Sequence, residues 1–219
     1  MTYYWDRKFI KHITHDVKYV CEVGARYGDE TIILSKTFPN ASILSFECNP
    51  LTVEKCRSNL SSLRNARFFN FGLGMNEEIL PFYSYIQDND GASSFYKRID
   101  ENTTQRHTGD IKIKKLASVL KDEKIDYIDL LCMDVQGFEL NVLKGAEDYL
   151  EKIKYVIMEE PKEVINEDYL PRNIHSKYLG SPSSREIKKF MNENGFIEIE
   201  RLEENKIEDN VMYKNIRLN

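Results

Sequence analysis

An apolar run at positions 17–23 stops at Gly24, and a helical pattern takes over at Asp29. A short continuous run of this kind reads as a buried strand that feeds a tight turn. Asp29 suits a helix cap, and Ile32, Ile33 and Phe38 are spaced for one helical face until Pro39-Asn40 ends it. Positions 41–46 read as a second strand, Pro50 fits the first turn of a helix over 51–60, and 66–71 read as a third strand. Strand, helix, strand, helix, strand within about 55 residues specifies a parallel sheet.

The alternation resumes with a strand at 125–133, a helix at 138–151, a strand at 153–158 and a helix at 184–194 that Gly195 terminates. Positions 196–202 and 210–218 alternate in polarity, as a closing antiparallel pair would. Between 76 and 120 the pattern breaks. Strands fit at 78–86 and 111–115, and the stretch between them, 87–110, is rich in Asp, Asn, Ser, Thr and Gly. So long a connection inside a compact domain is usually functional, and it reads as a lid over the site. No repeat or linker divides the chain, so residues 1–219 are expected to form one α/β domain.

Charge narrows the partners. A net charge of −5 argues against broad phosphate-backbone binding and so against nucleic acid. No apolar run approaches the roughly 18 residues that span a bilayer, and positions 1–10 lack the apolar middle of a signal peptide. The four cysteines show no CxxC spacing. Reduced thiols and a cytoplasmic protein without a membrane partner are the expectation.

The turn after the first strand, Glu22-Val-Gly24-Ala-Arg-Tyr-Gly28-Asp, sits where ligands bind in an open parallel sheet. Gly24 and Gly28 are expected to let the backbone approach a ligand closely. Their spacing is GxxxG rather than the GxGxxG of a dinucleotide site, which disfavours a nicotinamide-dependent oxidoreductase. Glu47 follows Gly28 by 19 residues, at the end of the second strand, where a carboxylate accepts ribose hydroxyls. A glycine turn alone is equally an ordinary strand-to-helix connection; Glu47 at that distance is what argues for a nucleoside.

The segment from Val20 to Thr31 (VCEVGARYGDET) resembles the first motif of the FkbM family of methyltransferases. Ser45-Phe-Glu-Cys-Asn-Pro50 is similar to their second, and Asp134-Val-Gln-Gly-Phe-Glu-Leu-Asn-Val-Leu-Lys-Gly-Ala146 to their most diagnostic one. The resemblance runs from Lys18 to about Tyr213. It implies a Rossmann-like class I methyltransferase, with a seven-stranded mostly parallel sheet, an antiparallel last strand and helices on both faces. It also implies S-adenosylmethionine as donor and a hydroxyl of a sugar, glycan or small molecule as acceptor. Donor contacts are then expected from Glu22, Gly24, Ala25, Arg26, Gly28 and Thr31, from Glu47, Cys48 and Asn49, and from Gly72. Arg26 stands where the family commonly has Asn, and Gln136 where it commonly has Glu.

A methyl sulfonium is already electrophilic, so the protein mainly aligns the acceptor oxygen and removes its proton. Asp134, ending the central strand at the mouth, is the first choice for that base, against the alternative of a helix cap. Of Glu159 and Glu160, side-chain alternation lets one face the site, and Glu160 is favoured. His107 in the expected lid has a suitable pKa class. Asp134, Glu160 and His107 are also the candidates for holding a divalent cation, Mg²⁺ or Mn²⁺. Ser93 and Ser94, in a serine-bearing stretch that resembles one near the family's site, and Gln136 are expected to meet the acceptor.

Overall fold

A computed structural model describes residues 7–86, 90–98, 105–162, 178–205 and 207–218. The first half follows the expected alternation. A single helical turn, α1 (Arg7–Ile10), precedes β1 (Tyr19–Val23), α2 (Asp29–Thr37), β2 (Ser42–Phe46), α3 (Val53–Leu60) and β3 (Ala66–Phe69). The chain then forms β4 (Gly72–Leu73), β5 (Glu78–Tyr85) and β6 (Gln105–Lys114), and continues with α4 (Leu116–Glu123), β7 (Ile128–Met133) and α5 (Glu139–Lys144). It closes with β8 (Ile153–Pro161), α6 (Ser184–Glu193), β9 (Phe196–Glu203) and β10 (Glu208–Asn215).

Seven strands form the main sheet in the order β3-β2-β1-β7-β8-β10-β9. The pairs β2–β3, β1–β2, β1–β7 and β7–β8 are parallel, while β10 runs antiparallel to both β8 and β9. Every residue of β7 is buried, as a strand covered on both faces requires. One core, with Val23, Leu44, Leu131 and Val156, lies on one face, and a second, with Val20, Ile43, Leu130 and Tyr155, on the other. Because the chain winds outward from β1 to β3 and then returns to β7 on the other side of β1, a crevice opens beyond the ends of β1 and β7.

Four features differ from the sequence expectation. The third strand ends at Phe69, and Gly72–Leu73 joins β5 and β6 in a separate sheet of order β4-β6-β5. Residues 105–110, expected in the lid, belong to β6 and pair with β5; 87–89 and 99–104 lie outside the described residues. The helix over 138–151 stops at Lys144 and a 3-10 turn covers Glu147–Lys152, because Glu147 takes a left-handed φ of 49° that no α-helix accommodates. Helix α4 carries no glycine stop signal; Lys124, at φ 57°, supplies the left-handed cap instead.

Candidate active site

Beyond the ends of β1, β2, β7 and β8 lies a cavity of about 270 Å³, enough for part of one small molecule. Its floor is apolar, with Phe46, Phe71, Leu73 and Met133, and its rim is acidic. The turn after β1 forms one side. Gly24, at φ 91°, lines the cavity, but its lack of a side chain answers first to the protein: a Cβ there would lie 1.9 Å from the Asp134 carbonyl oxygen. Gly28 faces no cavity; a Cβ there would meet Leu60 at 2.7 Å. Both glycines are thus required by packing between neighbouring segments, and of the two Gly24 also lines the cavity while Gly28 does not.

Glu47 follows β2, is 6% exposed and lines the cavity. Its Oε2 accepts from the Arg26 backbone N–H at 2.5 Å and its Oε1 from the Asn49 N–H at 2.6 Å. The carboxylate therefore ties the two turns together and still has lone pairs for a ligand's hydroxyls. Burial pushes its pKa up to about 7, against the pull of the Asn49 and Arg26 N–H groups and, behind them, of the Thr52 side chain and the Cys48 backbone. Glu22, whose burial pushes it up to about 8, accepts from the Thr31 hydroxyl, which also meets Ser45 Oγ at 2.9 Å.

The segment 90–98 leans over this turn. Arg26 Nε donates to Asp90 Oδ1 at 2.7 Å, and the Tyr27 hydroxyl donates to the other Asp90 oxygen. Asn49 Nδ2 donates to Ser93 Oγ at 3.1 Å, and Asn49 Oδ1 accepts from Ser84 Oγ at 2.8 Å. On the opposite side, Gln136, at φ 52°, directs Nε2 to Asp134 Oδ1 at 2.6 Å and to Glu159 Oε2 at 3.0 Å. Its Oε1 accepts from the Tyr178 hydroxyl at 2.5 Å. Glu139, buried beneath this loop, accepts from the N–H groups of Val135 and Gly137 at 3.2 and 3.3 Å.

Residues 22–198 match the family model described as the methyltransferase FkbM domain. The chain belongs to that family. Among relatives, it is 28% identical to "Methyltransferase sdnD" of Sordaria araneosa, over 64% of this chain and 65% of that one. It is 24% identical to "2-O-methyltransferase NoeI" of Sinorhizobium fredii (strain NBRC 101917 / NGR234), over 69% and 67%. The chain thus spans about two thirds of the length of these relatives. A solved structure, a SAM dependent methyltransferase from Aquifex aeolicus, shares the fold with TM-score 0.53 at 15% identity, covering 96% of this chain and 89% of that one. Family membership sets aside the dehydrogenase alternative.

In this FkbM domain the cavity gathers most of the residues expected from the motifs: Glu22, Gly24, Arg26, Glu47, Cys48, Asn49 and Gly72, with Ser93, Asp134 and Gln136 across from them. Ala25, Gly28 and Thr31 stand behind it: Ala25 is fully buried against Cys56 and Leu60, and Thr31 holds Glu22. Ser94 is buried as well, donating to the Gln136 carbonyl at 2.8 Å.

Two catalytic expectations change. Glu160 turns away from the cavity. Its carboxylate accepts from the Tyr213 hydroxyl and from Arg201 Nη2 at 3.0 Å, and Glu159 takes its place at the rim. The register explains this: Glu159 pairs with Asn210 and Glu160 with Asp209 across β8 and β10, so the two faces carry alternate residues. His107 projects from β6 into solvent, bonded to Asp110 Oδ1 at 2.9 Å, and does not line the cavity. Asp134, Glu160 and His107 are therefore not brought together, and no group of three metal-ligating side chains occurs among the described residues. Asp90, Arg98, Glu204, Glu208 and Asn210 line the cavity without having been indicated by the sequence. No helix among the described residues is long and apolar enough to cross a membrane.

Proposed function

We propose that the chain uses S-adenosylmethionine to methylate a hydroxyl of a sugar, glycan or small-molecule acceptor. The observation that carries this reading is Glu47: a buried carboxylate on the cavity wall, held by two backbone N–H groups, with accepting capacity left for a ribose diol. Phe46, Phe71 and Leu73 beside it offer an apolar bed for a purine. The residues present thus fit the donor, which when bound supplies an electrophilic methyl group. The name of NoeI, a 2-O-methyltransferase, supports an oxygen as acceptor atom. The acidic rim disfavours a nucleic-acid acceptor.

Within this reading Asp134 accepts the hydroxyl proton, being on the cavity wall across from Glu47. Gln136 fixes the Asp134 carboxylate and that of Glu159 through one amide group. Asp90 and Ser93, tied to Arg26 and Asn49, hold the 90–98 segment over the bound donor as its cover. The test is incubation of the purified chain with labelled donor and a panel of sugars and natural-product alcohols, read by product mass. A mass gain of one methyl that resists mild base, as an ether does and an ester does not, supports the reading. Label transfer to amines or RNA alone overturns it.

A further inference from the structure

The cavity has a wall that neither donor binding nor proton removal uses. The turn from β9 to β10 builds it, with Glu204, Asn205, Glu208 and Asn210 on the lining. Asn205 shapes the turn: its Oδ1 accepts from the N–H groups of Ile207 and Glu208 at 2.9 and 3.0 Å, and its Nδ2 donates to Glu208 Oε2 at 2.9 Å. Asn210 stands opposite Glu159 in the antiparallel register of β10 and β8, so both side chains leave the sheet on the cavity face.

Asn210 is 1% exposed. Its Nδ2 donates to Glu204 Oε2 at 2.8 Å, which fixes the amide, because the flipped orientation would set its oxygen against a carboxylate. Asn210 Oδ1 is then a buried acceptor on the cavity wall with no hydrogen-bond partner among the described residues. Leaving such an atom without a donor is costly, and a ligand group bearing N–H or O–H would recover that cost.

The charge around it narrows the ligand. Eight acidic side chains line the whole cavity against two guanidinium groups, Arg26 and Arg98, among the described residues. Burial holds Glu22 and Glu47 toward their neutral forms and Arg26 is committed to Asp90, which leaves Asp134, Glu159, Glu204 and Glu208 as the acids nearest this wall. Glu204 shows the crowding: burial first, and then the Asp134 charge, hold its carboxyl above the usual range. A phosphate, sulfate or carboxylate brought to this wall would meet acceptors and like charge. A neutral hydroxyl would satisfy Asn210 and leave the charge uncompensated. An ammonium carries three N–H donors and the opposite charge, and so matches both demands.

We propose that this wall is an acceptor subsite for a cationic hydrogen-bond donor, an ammonium group on the hydroxyl-bearing acceptor, with Asn210 Oδ1 as its neutral partner and Glu204 and Glu208 as counter-charges. The proposal rests on the methyl-transfer reading for the identity of the rest of the cavity.

Three sugars that differ in one substituent test it: glucosamine, N-acetylglucosamine and glucuronic acid. Each is titrated by ligand-observed NMR against the full chain, with and without S-adenosylhomocysteine, at a pH where the amine is protonated. Glucosamine is expected to bind at least ~10-fold more tightly than the other two, as one desolvated charge pair allows. The preference is expected to vanish in Glu204→Gln/Glu208→Gln and to shrink in Glu204→Gln alone, with S-adenosylhomocysteine affinity within about two-fold of wild type in both. Equal binding of glucuronic acid, a preference that survives in the double variant, or no binding of any of the three overturns the subsite. So does an Asn210→Ala variant that loses S-adenosylhomocysteine rather than glucosamine, because the wall then belongs to the donor. Failure of S-adenosylhomocysteine to bind wild type counts against the methyl-transfer reading instead, while the sugar preference without it still decides the subsite.

Discussion

Gln136 donates from Nε2 to Asp134 Oδ1 at 2.6 Å, and the same nitrogen reaches Glu159 Oε2 at 3.0 Å. One amide thus spends both hydrogens on two carboxylates, which a glutamate at this position would repel instead. In the proposed reaction Gln136 is therefore a positioning residue. Gln136→Ala is expected to lower kcat ~10- to 100-fold, the usual scale for outer groups that orient a reactive one, with donor affinity nearly unchanged. Gln136→Glu is expected to be worse, because a third carboxylate replaces the amide donor shared by Asp134 and Glu159. Unchanged turnover in both variants would contradict this role.

The Arg26–Asp90 pair joins the 90–98 segment to the turn after β1. Both side chains are partly exposed, 34% and 19%, so the pair adds little to global stability, within about 1 kcal/mol. Its effect is expected to be local. Asp90→Asn should speed amide hydrogen exchange at 90–94 and weaken S-adenosylhomocysteine several-fold while leaving Tm nearly unchanged. Equal exchange in mutant and wild type, with and without ligand, would reject the cover.

Buried acids give stability a pH dependence of definite sign. Burial pushes Glu22 and Glu139 each up to about 8 from the ordinary 4.5, so between those values the folded state holds protons that the unfolded state has released. Stabilisation from these groups is complete below the unfolded value and is lost as pH rises to about 8. Tm is expected to fall from about pH 5 to pH 8, and Glu139→Gln, which keeps the acceptor for the Val135 and Gly137 N–H groups, should flatten that slope. A Tm that climbs through this window contradicts the assignment.

The parts of the fold and site that were legible are those written locally. The run into Gly24 and the position of Glu47 lie within one strand–helix–strand unit, and the structure repeats them nearly residue for residue. The expected cap at Asp29 does not form, because the left-handed Gly28 precedes the helix and Asp29 is its first residue, with no side-chain capping bond. The reason for Gly24 and Gly28 was not legible, since the Asp134 carbonyl and Leu60 that demand them come from elsewhere in the chain. Helix α4 was hidden by its Lys124 cap, and β6 by the polar composition of 105–110 on a partly exposed sheet. Glu159 could not be told from Glu160 because a one-residue slip in the β8–β10 register exchanges their faces, and only the paired structure fixes that register.

Asp134 is expected to serve the chemical step. Asp134→Asn keeps the shape and removes the charge, so kcat should fall ~10²-fold or more with donor affinity little changed. Asp134, Glu160 and His107 do not converge, so these three do not form a cation site together; treatment with chelator separates a base at Asp134 from a metal ligand. Near-normal turnover in Asp134→Asn refutes both roles, and loss of activity to chelator with recovery on Mg²⁺ or Mn²⁺ refutes the base alone.

Glu47 decides whether the cavity holds the donor nucleoside. It ionises near pH 7, and only the carboxylate accepts both ribose hydroxyls, so affinity for S-adenosylhomocysteine should rise as pH increases through about 7. Calorimetric titration of wild type and Glu47→Ala across that range is the direct measurement. Binding to wild type that strengthens with pH, and is weaker in the mutant by about 1.5–3 kcal/mol, is the predicted result. A Glu47→Ala protein that binds as tightly as wild type at every pH would contradict it.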